Sequence, residues 1–149
     1  MSHDYDQAVV GPESSAEATP LNTASDMERN KGVVRRLVEE VMNGGRIDVV
    51  DELYSPRLAP AAKRWIAPFL TSFPDPRMDV VDLIAEDDKV VGRFACSGTH
   101  LGEWLGYAPT GRRFEAVDEV YIFRFREGRI VSAWGIEDTL KRLEQLGLR

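Results

Sequence analysis

Between residues 33 and 42 the chain repeats apolar positions at helical spacing. Val33, Val34, Leu37, Val38, Val41 and Met42 form one face, and Arg35, Arg36, Glu39 and Glu40 fill the other. The pattern predicts a helix capped by Ser25 or Asp26 and stopped by Asn43-Gly44-Gly45. A shorter helix is predicted from Ile47 to Tyr54, ahead of Pro56. A third, from Ala61 to Phe73, aligns Trp65, Phe69 and Phe73 before Pro74-Asp75-Pro76 breaks it. The texture then turns to strands: Met78 to Ala85, a turn at Glu86-Asp87-Asp88, and Lys89 to Thr99. After a loop from Gly106 to Gly111, a long strand is predicted from Arg113 to Phe125. Arg126-Glu127-Gly128 turns the chain into Arg129 to Ile136. Asp138 caps a last helix with Leu140, Leu143 and Leu146 on one side and Gly147 at its end. Helices, then an antiparallel meander, then a short helix give an α+β fold class.

Composition narrows the setting. A chain of 149 residues with 43% hydrophobic and 30% charged residues holds one core. A formal net charge of −6 argues against nucleic acid as the partner. The one cysteine, Cys96, excludes an internal disulfide and fits a reducing compartment. With no apolar run of bilayer length and no signal-like start, the expected location is cytoplasmic, with no membrane partner. Residues 1–26 are rich in Ser, Thr, Ala, Glu and Pro without apolar period and read as a flexible tail before a domain over 27–149. His3 falls in that tail, which leaves His100 as the histidine of the domain. One such histidine and one cysteine do not make a standard zinc site, and no iron-binding triad is visible, so no metal is expected.

The carboxyl-terminal half carries a recognisable order of short motifs. Phe73-Pro74-Asp75 precedes the first strand, and Asp82-Leu-Ile-Ala-Glu-Asp-Asp-Lys-Val-Val91 spans the first hairpin. Gly98-Thr99-His100-Leu101-Gly102 and Pro109-Thr110-Gly111-Arg112-Arg113 follow. Next come Phe123-Arg-Phe-Arg-Glu-Gly-Arg-Ile130, Trp134, Asp138 and Gln145-Leu146-Gly147. In this order and spacing, over about residues 28–147, the chain resembles the SnoaL-like polyketide cyclases of the nuclear-transport-factor-2-like and ketosteroid-isomerase-like superfamily. The resemblance implies a curved antiparallel sheet wrapped by helices into a cone around an apolar cavity. It implies a cavity carboxylate that deprotonates carbon beside a carbonyl, after which the enolate closes a ring by aldol addition. It further implies no cofactor, a polycyclic or polyketide-like small-molecule substrate of natural-product (antibiotic) biosynthesis, and a homodimer formed through the outer sheet face. The same scaffold carries hydroxylases, which use oxygen and a partner reductase, as well as isomerases. A ligand-binding domain without chemistry is the remaining alternative.

Within that frame the family's acid–base aspartate falls at Gly135, which cannot move a proton; another alignment places Glu137 there. Strand alternation puts Val117, Glu119, Tyr121, Phe123 and Phe125 on one face, implied by the resemblance to line the cavity. Glu119 then serves as base and Tyr121 as oxyanion donor, unless Glu119 is solvated or pairs with an arginine such as Arg113. His100 is a candidate proton carrier or a backbone-bonding residue at a strand bend. Asp138 is a candidate acid or simply the helix cap. Trp65, Phe69, Phe94, Trp104, Phe123 and Trp134 are the candidate substrate wall.

Overall fold

The computed structural model describes residues 21–149, so residues 1–20, most of the segment read as a tail, lie outside the described residues. The domain nevertheless starts earlier than the hydrophobic period suggests. Helix α1 spans Ala24–Arg36, and its cap is Thr23. The Thr23 hydroxyl accepts the Asp26 N–H at 3.1 Å, and the Asp26 carboxylate accepts the Thr23 N–H at 2.9 Å. Asp26 is thus the third helical residue of a capping box, not the cap. Just upstream, the Asn22 N–H donates to Asp87 Oδ1, tying the chain to the first hairpin turn.

The expected single helix changes register. From Leu37 to Met42 the backbone widens into a π-helical turn, closed by the Asn43 N–H on the Val38 carbonyl at 2.8 Å. The chain then folds back so tightly that a Cβ on Gly44 would lie 2.5 Å from the Glu40 carbonyl oxygen. The widened turn swings Leu37, Val38 and Met42 toward the interior, where all three line a cavity. A 3-10 turn at Ile47–Val49 leads into α2, Val50–Leu53, and α3 runs Ala59–Ser72.

The strands β1 (Arg77–Glu86), β2 (Lys89–Thr99), β3 (Arg113–Arg126) and β4 (Arg129–Glu137) form one antiparallel sheet in sequence order. Register shifts at Val80/Asp82, Cys96/Gly98 and Arg124/Phe125 mark bulges that curl the sheet. Its concave face buries Met78, Phe94, Cys96, Val117, Phe123 and Ala133. Helix α4, Thr139–Gln145, closes one end. There the expected stripe is wrong in one respect: Leu140 is exposed, and Arg142 turns inward with Leu146. Trp134 corrects another expectation. It lies on the convex face, 47% exposed, because its neighbours Ala133 and Gly135 take the inward positions.

Candidate active site

Glu119 on β3 stands directly opposite Glu137 on β4, and alternation turns both carboxyls into the concave face. The group that joins them comes from α4. Asp138 caps that helix, accepting the Lys141 N–H at 3.0 Å, while its own N–H bonds the Asp118 carbonyl. One turn later the helix delivers Arg142 back over the sheet. Arg142 Nη2 donates to Glu119 Oε2 at 2.8 Å and Nη1 to Glu137 Oε1 at 2.5 Å. All three side chains are buried, at 0%, 3% and 7% exposure. The guanidinium sits among the rings of Phe69, Phe73, Trp104 and Phe114, 4.6–6.0 Å from their centres. Burial disfavours its charge, but Glu137 and Glu119 outweigh that and hold Arg142 more firmly protonated than usual. With both carboxyls ionised the trio carries one net negative charge inside an apolar shell.

Tyr121 and Cys96 complete the setting. Burial first, then the Glu119 and Glu137 charges, push the Tyr121 phenol well above its ordinary pKa, so it remains a proton donor. Burial and Glu119 likewise hold the Cys96 thiol protonated, which removes it as a nucleophile. Both groups interact with the Glu119 carboxyl.

Tyr121 pairs with a glycine on each neighbouring strand, Gly92 and Gly135, and its ring lies over Gly135 while that of Phe94 lies over Gly92. A Cβ at Gly135 would sit 2.1 Å from Tyr121 Cδ1, and one at Gly92 would sit 2.2 Å from Phe94 Cζ. Aromatic rings therefore occupy the space that side chains at 92 and 135 would fill. The glycine at the position implied for the family's aspartate belongs to this arrangement: ring and side chain exclude each other.

The resulting cavity holds about 350 Å³. Trp65 and Phe69 of α3, Phe94, Trp104 and Phe123 line it with Tyr121. At its mouth, Trp104 and Tyr107 exchange backbone hydrogen bonds at 3.0 and 2.8 Å around Leu105 and Gly106. Both central residues have positive φ, 53° and 81°, and Leu105 is turned into the mouth.

Three candidate residues lie elsewhere. His100 is fully buried but does not line the cavity. Its Nδ1 accepts the Thr110 N–H at 3.1 Å, and its backbone bonds Arg112 and Gly111, so it pins the base of the mouth loop. Burial lowers its pKa, the Gly102 backbone partly opposing, which keeps the ring neutral. Asp138 is an exposed helix cap, and Trp134 faces outward. The arginine paired with Glu119 is Arg142, whereas Arg113 bonds Asp75 and Glu115 at the surface. Arg142 escaped the sequence reading because the leucine stripe hid it. Its signal was the spacing: four residues after the Asp138 cap and four before Leu146, on the stripe that turns inward.

Comparison with known proteins agrees with this fold. The family model described as SnoaL-like polyketide cyclase matches residues 32–146. Aklanonic acid methyl ester cyclase AcmA of Streptomyces galilaeus is 28% identical over 119 residues, covering 70% of this chain and 81% of its own. The crystal structure of AclR from the same organism, described as a candidate hydroxylase, superposes with a TM-score of 0.72 at 27% identity, covering 81% of this chain and 82% of AclR. A SnoaL-like protein of Jannaschia sp. CCS1 shares the fold at 22% identity, with a TM-score of 0.77 over 86% of this chain and 98% of its own. With a cone-shaped α+β fold, an apolar cavity and a family match over most of its length, this chain belongs to the SnoaL-like polyketide cyclases.

Proposed function

We propose that this protein is a cofactor-independent enzyme that removes a proton from carbon beside a carbonyl of an aromatic-polyketide-like substrate and directs the enolate to ring closure or isomerisation. The observation that carries the reading is the buried Glu119–Arg142–Glu137 trio at one end of an apolar cavity, with a protonated phenol beside it. Glu119 takes the proton, and the C–H electron pair becomes the enolate. Tyr121 donates a hydrogen bond to the enolate oxygen. In ring closure the enolate carbon attacks a second carbonyl of the same molecule, and Glu119 returns its proton to the new alkoxide. Arg142 and Glu137 position Glu119 and do not touch the reacting atoms. The similarity to AcmA, named as an aklanonic acid methyl ester cyclase, and the match to the SnoaL-like polyketide cyclase family support that substrate class.

The similarity to AclR favours a second reading, in which oxygen intercepts the same carbanion and a partner reductase supplies two electrons that convert the peroxide to alcohol and water. Both readings are tested by incubating the protein in deuterium oxide with α-tetralone, whose CH₂ beside the carbonyl is acidic. Catalysed deuterium incorporation supports proton abstraction, and its absence leaves only a binding role. Hydroxylated product under air with reductase and NADPH, missing under nitrogen, would select the hydroxylase.

We also propose a homodimer contact on the convex sheet face. Ile84, Val91, Ile122 and Trp134 stand side by side in register across all the strands, and Ile84 is 63% exposed. Trp134→Glu should shift the protein from dimer to monomer in light scattering; an unchanged mass would remove this face from the contact. No helix among the described residues is long and apolar enough to cross a membrane.

A further inference from the structure

The cavity has a second polar group that the proposed chemistry does not use. Tyr54 ends α2, and its backbone is clamped to the start of β4 through a parallel bridge to Ile130 and through the Arg129 guanidinium on its carbonyl. The side chain is 1% exposed and lines the cavity. Burial alone raises its pKa, and its hydroxyl has no hydrogen-bond partner among the described residues. The phenol is therefore protonated and unpartnered, whereas Tyr121 interacts with Glu119. The Tyr54 oxygen is not one of the sealed, unbonded polar atoms of the core; it stays open on the cavity side, where a phenylalanine would offer a ligand no donor.

Its place in the fold gives the hydroxyl a direction. Tyr54 adjoins Ile130 and the trio adjoins Glu137, seven residues further along β4. The two backbones are thus about 23 Å apart along the strand, with both side chains reaching into one cavity. Aromatic side chains, Phe123 and Tyr121, floor the space between them.

We propose that the Tyr54 hydroxyl anchors a second oxygen of the substrate, carried on the ring farthest from the carbon that Glu119 deprotonates. The inference rests on the proposed function and names its substrate class: a flat, fused-ring ketone with a phenolic or carbonyl oxygen at its distal end. The phenol donates to that oxygen, the apolar walls exclude water, and the two polar ends together fix which way round the molecule lies.

The test is a paired titration, followed by quenching of the cavity tryptophans, with α-tetralone and 6-hydroxy-α-tetralone. These ketones differ in one oxygen at the far end of the ring system. Wild-type protein should bind the hydroxylated ketone about tenfold more tightly. Tyr54→Phe should lose that preference while its melting temperature holds or rises. Three results overturn the anchor: neither ketone binds, the preference survives in Tyr54→Phe, or the variant melts several degrees lower with both affinities falling alike, as when the hydroxyl holds a structural water. Deuterium incorporation, read in the same samples, separates the two claims. A preference lost in Tyr54→Phe without any exchange keeps the anchor and rejects Glu119 as base. Exchange with no preference rejects the anchor alone.

Discussion

Arg113 and Arg142 each hold two carboxylates, and they differ chiefly in burial. Arg113, 40% exposed, bonds Asp75 at 3.2 Å and Glu115 at 2.5 Å on the sheet rim. Arg142, fully buried, bonds Glu119 at 2.8 Å and Glu137 at 2.5 Å. The distances are nearly the same, so geometry does not distinguish them. Water does. At the rim, solvent screens the charges and competes for the hydrogen bonds, and such a cluster contributes little. In the core each charge depends on its partners, because removing one leaves another stranded among aromatic rings. The chain spends that stored electrostatic energy where the cavity opens, which is the arrangement expected of a site that moves protons.

The largest expected effect follows from removing the cation. Arg142→Met should strand two buried carboxyls and destabilise the fold by about 3–5 kcal/mol. Its melting temperature should fall by about 10 °C or more at neutral pH. Arg113→Met should move it by about two degrees at most, so equal losses in thermal melts would dissolve the contrast.

Next comes the cavity floor. Gly135→Ala places a methyl group 2.1 Å from the Tyr121 ring and should cost about 1–3 kcal/mol as the ring is driven off its seat. Deuterium exchange into α-tetralone should fall with it, since the oxyanion donor moves. A variant with unchanged melting and unchanged exchange would show that the ring has another place to go.

The smallest effect concerns His100. Burial lowers its pKa from the ordinary 6.5, so the unfolded chain binds a proton that the native chain refuses. Stability should therefore decrease as pH falls through about 6.5 toward the lower native value, by up to about 1.4 kcal/mol per pH unit. His100→Asn should flatten that slope between pH 7 and 5. A wild-type slope retained in the variant would assign it to the carboxylates instead.

The fold was legible because its signals are local. Alternation from Val117 to Phe125, the Glu127-Gly128 turn and the Asp138 cap each act through neighbouring residues, and each element lies where they place it. Alternation puts Glu119, Tyr121 and Phe123 on one face for the same reason, and the family resemblance implies that this face lines the cavity. What stayed hidden depends on contacts across the sheet. The pairing of Glu119 with Arg142 joins residues 23 apart in sequence, and no periodicity encodes it. The π-helical turn breaks the 3.6-residue repeat that announces α1. Tyr54 reads as the last residue of a short helix until the bridge to Ile130 turns it toward the cavity.

Glu119→Gln tests the central claim most directly. Glutamine keeps the shape and still accepts from Arg142, and Glu137 still balances the guanidinium, so melting should fall by only about 1–3 kcal/mol in stability terms. Deuterium incorporation into α-tetralone should drop by about 10²–10⁴-fold at unchanged ketone affinity. Exchange within about threefold of wild type, in a variant that binds the ketone normally, would contradict the account and move the base to Glu137.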